Sequence, residues 1–254
     1  MSNFLPAPFG VEYAFRPAWK FWERLYIRIF GLVDLPARLR ARVVLHESLA
    51  LRPRKVLDLG SGTGNYSFFL SRKENLKVTG LEIDSNRIAD SNYIAQRLGR
   101  ENVQFLFTRG DTYLEGFPPE SFDLALAVEV LQYLPDLPLA LKEIHHLLVP
   151  GGYLIGHFPV LGFLRPQEKM LLDDEKIQRF LTDTKFQVIH ITPTFGGMIR
   201  RLSRIYKRIS QHPLLVAVLF PFLLLSSAPF QIKAQSGDYR LFVARKPGGD
   251  DPRK

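Results

Sequence analysis

Val56-Leu57-Asp58-Leu59-Gly60-Ser61-Gly62-Thr63-Gly64-Asn65 is a short apolar run that ends in a glycine cluster. A run of this length, bounded by turn residues, predicts a buried strand. The glycines let the chain turn sharply and let backbone N–H groups approach a ligand closely. Three nucleotide readings compete. A phosphate-binding P-loop needs a lysine followed by Ser or Thr after its last glycine, and Asn65-Tyr66 stands there instead. The dinucleotide fingerprint spaces its glycines G-x-G-x-x-G, whereas here they run G-x-G-x-G with Asp58 two residues before the first. A carboxylate beside the loop repels a pyrophosphate but suits a cationic amine, which favours a nucleoside carrying an ammonium group.

Working outward, short apolar runs alternate with helical patterns. Strands are predicted at Val56–Leu59, Val78–Ile83, Val103–Thr108, Leu124–Val128 and Tyr153–Phe158, and further ones near Phe186–Ile191 and Tyr239–Ala244. Helices are predicted at Tyr66–Arg72, Arg87–Leu98 and Pro138–Leu148, the last stopped by Pro150-Gly151-Gly152. Such alternation predicts βαβ units and a doubly wound α/β sheet with ligands at the carboxyl ends of its strands.

Five motifs in order carry a family resemblance: Asp58-Leu59-Gly60-Ser61-Gly62-Thr63-Gly64, Gly80-Leu81-Glu82-Ile83-Asp84, Gly110-Asp111-Thr112, Phe122–Leu131, and Leu141–Ile144 followed by Val149-Pro150-Gly151-Gly152. Over about residues 53–160 the chain resembles the class I S-adenosylmethionine-dependent methyltransferases, in the subgroup of ubiquinone-type and small-molecule methyltransferases. The resemblance implies a Rossmann-like, seven-stranded, mostly parallel sheet with helices on both faces, and S-adenosylmethionine as cofactor. It also implies a cofactor site of Asp58, Gly60, Ser61, Gly62, Gly64, Glu82, Ile83, Asp111, Thr112, Val128 and Glu129. Within it Glu82 would bind the ribose hydroxyls, since a carboxylate is acceptor-only and suits two adjacent donors. Asp111 would accept from the adenine amino group. Asp84 reads as a helix cap and Asp123 as structural.

Methyl transfer from a sulfonium needs alignment and exclusion of water, and a base only where the acceptor must lose a proton. The family therefore offers no universal catalytic residue to carry over. Where many members have a histidine two residues after Leu131, this chain has Tyr133. The catalytic candidates are Tyr133 and His157, the latter at the exit of the fifth strand, with a hydrogen-bonded loop histidine as the competing reading of His157. His145 and His146 read as surface residues. No histidine spacing suits a metal, and none is expected.

Composition bounds the rest. The chain has 254 residues, 46% hydrophobic, 12% aromatic and 23% charged, values that exclude wholesale disorder. It lacks cysteine, which excludes disulfides, cysteine–zinc sites and thiol catalysis. The formal charge of +9 calls for an anionic partner. More than half of that excess sits on Arg200, Arg201, Arg204, Lys207 and Arg208, in a segment whose apolar residues follow helical spacing. An uncharged stretch from Ile209 to Ile232 follows, apolar at 213–227. A single membrane crossing would put the last two strands on opposite sides of the bilayer. The expectation is therefore a hydrophobic hairpin broken near Pro221 that dips into one leaflet; the alternative is a buried helix. Near the N-terminus, Arg16, Lys20, Arg24 and Arg28 recur among Trp19, Trp22, Leu25, Tyr26 and Ile29, which suits a lipid interface or a lid over the cofactor.

The organisation read from these patterns is 1–52 as basic and aromatic helices, 53–246 as the methyltransferase domain with 195–236 as an insertion, and 247–254 as a loose tail. The start of the chain carries no secretory pattern, so a cytoplasmic protein, peripheral or monotopic on the membrane, is expected. The expected activity is methyl transfer to a hydrophobic or lipid-like small molecule at an anionic membrane surface. Its rivals are methylation of a soluble metabolite or nucleic acid, and a cofactor-binding partner protein without catalysis. Nucleic acid is disfavoured because no recognised binding module is present.

Overall fold

A computed structural model describes residues 8–108, 116–160, 172–228 and 232–248. Seven strands form one sheet: β1 (Lys55–Leu59), β2 (Lys77–Glu82), β3 (Val103–Phe107), β4 (Phe122–Val128), β5 (Leu148–Pro159), β6 (Gln187–Thr194) and β7 (Tyr239–Arg245), in spatial order β3-β2-β1-β4-β5-β7-β6. The first five are parallel; β7 lies antiparallel to both β5 and β6. The strand order reverses beside β1, so the crevice outside the carboxyl ends of β1 and β4 is the place where a ligand fits.

Period-two alternation sorts the core into two layers. Val56, Val78, Leu124 and Ile155 face one way, onto α2 (Leu35–Ala50), α3 (Asn65–Leu70), α4 (Ser85–Arg97), α7 (Gly197–Ile209) and α8 (Pro213–Ser227). Leu57, Leu81, Ala125 and Leu154 face the other way, onto α5 (Leu137–Leu147) and α6 (Asp174–Asp183). Helices on both faces were expected. Asp84 caps α4, accepting from the N–H groups of Asn86 and Arg87. Asp123 accepts from the N–H groups of Arg54 and Lys55, where it ties down the entry to β1.

Two local expectations are corrected. Pro150-Gly151-Gly152 ends α5 but does not delay the strand: β5 already begins at Leu148 and runs through the motif, with Gly151 at φ 84° and a register shift between Phe122 and Leu124 opposite. A bulge absorbs what otherwise would be a turn. The second correction concerns Pro221, which does not break the apolar stretch; α8 continues through it. A helical proline leaves the carbonyl four residues earlier without its usual donor. Here that carbonyl is Ala217 O, and the Tyr26 hydroxyl of α1 (Phe21–Phe30) donates to it at 2.7 Å. The expected apolar hairpin is therefore not formed: the basic α7 and the continuous apolar α8 are joined by a turn at Ser210–His212. No helix among the described residues is long and apolar enough to cross a membrane.

The N-terminal part is anchored to the sheet domain. A 3-10 turn, Val11–Phe15, packs on α4 and leads into α1. Its Glu12 is buried: Oε1 accepts from Arg72 Nε at 2.8 Å and Arg100 Nη2 at 3.0 Å, and Oε2 from Arg72 Nη2 at 3.1 Å. Arg16 pairs with Asp90 of α4 at 2.7 Å.

Candidate cofactor and acceptor site

The glycine loop leaves β1 and ends at the first turn of α3. Gly60, Gly62 and Gly64 all have positive φ, between 58° and 75°. At Gly60 a Cβ would stand 2.6 Å from the Val130 side chain, so only glycine lets the exits of β1 and β4 come this close. Asp58 points to the α3 side, is buried, and accepts from Ser67 Oγ at 2.6 Å. Burial pushes its carboxyl up to about 7, against a smaller lowering from the Ser67 hydrogen bonds. Glu82, at the end of β2, folds over the loop: Oε2 accepts from Gly62 N at 2.7 Å, and Oε1 from Ile83 N at 3.0 Å and Asp84 N at 3.1 Å. Asp58, Gly60, Ser61, Gly62, Gly64 and Glu82 are thereby brought to one crevice. Ile83 follows Glu82 with its side chain largely exposed, and Val128 is buried at the end of β4. Asp111 and Thr112 lie outside the described residues.

The residues present fit an amino-acid-bearing nucleoside. Ser61 Oγ and Asn65 Oδ1 are buried beside the loop without a protein partner, as are both amide atoms of Gln132 in the 3-10 turn Leu131–Tyr133 after β4. Buried polar atoms of this kind are normally satisfied, so they mark where a polar ligand fits. A buried, unpaired Asp58 carboxylate is costly when ionised and is relieved by a cation.

Beyond β4 lies a second constellation, less legible in the sequence. Glu129 adopts φ 58°, unusual for a residue with a Cβ, at the exit of β4. Its Oε1 is 3.2 Å from Arg40 Nη1 of α2 and 3.2 Å from His157 Nδ1. His157 Nε2 is 3.1 Å from Thr194 Oγ1, and its ring stacks on Tyr239. His157 is fully buried, and burial lowers its pKa despite the opposing pull of Glu129. A neutral imidazole has one N–H; a carboxylate can only accept, so Nδ1 donates to Glu129 and Nε2 accepts the Thr194 hydroxyl. Both nitrogens are thus engaged inside the sheet. His157 therefore suits the holding of Glu129 rather than free proton exchange with an acceptor. Tyr133 is half-buried in the turn after β4. Arg40 was missed by sequence reading, since nothing local marks one arginine of α2 as the partner of a residue on β4.

His157→Ala should therefore cost about 1–3 kcal/mol of stability, because Thr194 and Glu129 lose a buried partner. Chemical denaturation of the parent and the variant measures it, and equal midpoints would contradict the placement.

Comparison with known proteins identifies the family. A family model described as "Methyltransferase domain" matches residues 53–207. The sterol 24-C-methyltransferase of Aspergillus fumigatus is 35% identical over 98 residues, covering 39% of this chain and 26% of that protein. A tocopherol O-methyltransferase of Oryza sativa subsp. japonica, described as probable, is 27% identical over 146 residues, covering 54% of this chain and 40% of its own length. The matches thus span between a quarter and two-fifths of these curated relatives. Among solved structures, a phosphoethanolamine N-methyltransferase 2 of Haemonchus contortus in complex with S-adenosyl-L-methionine aligns with TM-score 0.60 at 18% identity, over 91% of this chain and 61% of that one. A SAM-dependent methyltransferase of Aquifex aeolicus aligns with TM-score 0.54 at 22% identity, over 66% and 92%. At these identities the structures speak to fold alone. The family match covers more than half of the chain, and with the seven-stranded order it settles the assignment: the chain belongs to the methyltransferase-domain family, in the class I, S-adenosylmethionine-dependent group.

Proposed function

We propose that the chain transfers a methyl group from S-adenosylmethionine to a hydrophobic or lipid-like small molecule at an anionic membrane surface. The observation that carries the acceptor class is the exposed apolar surface of α1 and α8. Leu214, Phe222 and Leu225 on α8 are 84%, 65% and 64% exposed, and Trp22 and Phe21 on α1 are 74% and 70% exposed. Soluble proteins seldom leave so many large apolar side chains in water on neighbouring elements. Similarity to sterol and tocopherol methyltransferases supports the same class.

When bound, the cofactor supplies an electrophilic methyl group on a sulfonium. Asp58 would hold its ammonium end and Glu82 its ribose, and the exposed Ile83 would offer an apolar surface for the base; Asp111 and Thr112 would belong to the same set by position in the sequence. Glu129, held by Arg40 and His157 at the exit of β4, would complete the cofactor set. The 3-10 turn with Glu12 and Tyr13 covers the glycine loop and excludes water.

Asp58 sets a pH dependence. A cation binds the carboxylate, so cofactor affinity should hold above pH 7 and fall about tenfold per unit below its pKa of about 7. The same group acts oppositely on the ligand-free chain. Its native pKa is raised, so the folded state binds more protons than the unfolded one, and stability declines as pH rises from the ordinary carboxylate range to about 7. Asp58→Asn should raise Tm above pH 7 while weakening cofactor binding and flattening its pH profile. Calorimetry across that range checks both signs together.

Vesicle binding should show two components. Arg201, Arg204, Lys207 and Arg208 are exposed, whereas Arg200 is tied to Asp238 at 2.8 Å and is not free for lipid. Replacing those exposed four by Gln should remove about 1 kcal/mol each near an anionic surface, and that component should vanish in high salt. The apolar component persists.

The function itself is tested by incubating the chain, methyl-labelled cofactor and membrane lipid extract. Label in the organic phase supports the proposal. Label confined to water-soluble products favours a soluble acceptor, and no transfer despite cofactor binding favours a non-catalytic partner.

A further inference from the structure

We propose that the membrane-docking surface is built from the cofactor lid itself, so that an anionic bilayer and the cofactor bind cooperatively. The inference rests on the membrane reading above and adds a coupling to it. Two observations meet in one segment. The inner end of the segment is fixed to the glycine-loop region. Glu12 is clamped by Arg72 and Arg100, Arg16 by Asp90, and the buried Phe9 ring packs edge-on against Tyr66 in the first turn of α3, where the glycine loop ends. The outer end is α1, joined to the turn through a small apolar cluster of Tyr13, Ala14 and Ile27 with Trp19.

α1 turns Phe21, Trp22, Leu25 and Ile29 outward. Its Tyr26 donates to Ala217 O, the carbonyl that Pro221 leaves without its helical donor. That bond ties α1 to α8, so the exposed apolar rows of the two helices act together as one face in this proposal. The occupant is an anionic bilayer, argued from charge. Lys20, Arg24 and Arg28 form an exposed stripe beside the apolar row of α1, and Arg201, Arg204, Lys207 and Arg208 stand exposed on α7, which packs on α8. α7 and α8 contain no acidic residue. Basic side chains flanking an apolar helical face suit an interface with anionic headgroups.

The face exists as described only while α1 lies against α8, and α1 in that position keeps the 3-10 turn seated on α4 and the end of α3, beside the glycine loop. A bilayer that binds the joined face therefore favours the closed lid, and so does a cofactor beneath it. Linkage makes the effect reciprocal: each ligand raises the affinity for the other by the same factor. The lid and the membrane foot are one lever with its fulcrum at the apolar cluster around Ile27.

The test titrates the full chain with S-adenosylhomocysteine in buffer, with phosphatidylcholine vesicles, and with phosphatidylserine-containing vesicles, and repeats vesicle co-sedimentation with and without saturating S-adenosylhomocysteine. The expected result is affinity at least about fivefold tighter on the anionic vesicles, matched by an equal gain in vesicle affinity. Tyr26→Phe should keep vesicle binding and lose most of the coupling. Trp22→Asp with Phe222→Asp should lose vesicle binding while leaving affinity in buffer and Tm unchanged, because both side chains are exposed. Vesicle binding by the parent with no change in S-adenosylhomocysteine affinity would overturn the coupling and leave the membrane reading intact. No vesicle binding by the parent would overturn the membrane reading, and the coupling with it.

Discussion

Glu12→Ala should lower Tm by about 6–12 °C and release the first thirty or so residues to protease. The carboxylate is buried and holds two guanidinium groups from the sheet domain, Arg72 and Arg100, through three hydrogen bonds between 2.8 and 3.1 Å. Removing one partner of a buried ion pair costs about 3–5 kcal/mol, because the remaining charge is stranded. Both arginine side chains keep about a fifth of their surface in water, which places the cost at the lower end. About 3 kcal/mol corresponds to the stated Tm shift at roughly 2–4 °C per kcal/mol for a chain of this size. Glu12→Gln retains hydrogen-bond acceptance and should fall between parent and Ala. Differential scanning calorimetry with limited trypsinolysis near Arg16 and Lys20 reads both effects. Unchanged melting with unchanged protease resistance would show that the N-terminal segment is not anchored there.

Glu82→Ala should weaken S-adenosylhomocysteine binding by about 5–150-fold, equivalent to about 1–3 kcal/mol. Each carboxylate oxygen has two acceptor sites, so Glu82 can hold the N–H groups of Gly62, Ile83 and Asp84 and still accept from one hydroxyl of a diol through Oε2. Alanine removes the acceptor for the ligand and also the strap between β2 and the glycine loop. The variant should thus lose affinity and some ligand-free stability together, whereas Glu82→Gln, which keeps one oxygen, should lose less of both. Isothermal calorimetry distinguishes them, and parent-like affinity in the alanine variant would remove Glu82 from the site.

How far the sequence carried the structure follows the range of the interactions. The strands from Val56, Val78, Val103 and Leu124 were readable because short apolar runs bounded by turn residues are local signals. The cap at Asp84 and the crevice formed by Asp58 and Glu82 were readable for the same reason, one from spacing and one from motif order. Pro221 misled because the Ala217 carbonyl it leaves open is answered by Tyr26, 191 residues before Ala217 in the chain. No window on the sequence contains both. Glu12 gave no signal, since its partners Arg72 and Arg100 are 60 and 88 residues away. His157 looked available as a base at a strand exit; only the packing of β6 and β7 against β5 shows Thr194 and Tyr239 closing around it.

A crystal structure of the chain with S-adenosylhomocysteine tests the site most directly. The account predicts the ligand along the carboxyl ends of β1 and β2, its ribose on Glu82 and its amino end toward Asp58, under the Glu12–Tyr13 turn. Ligand found instead at the amino ends of the strands, in the cleft lined by Lys55, Lys77, Glu101 and Asn102, would contradict it.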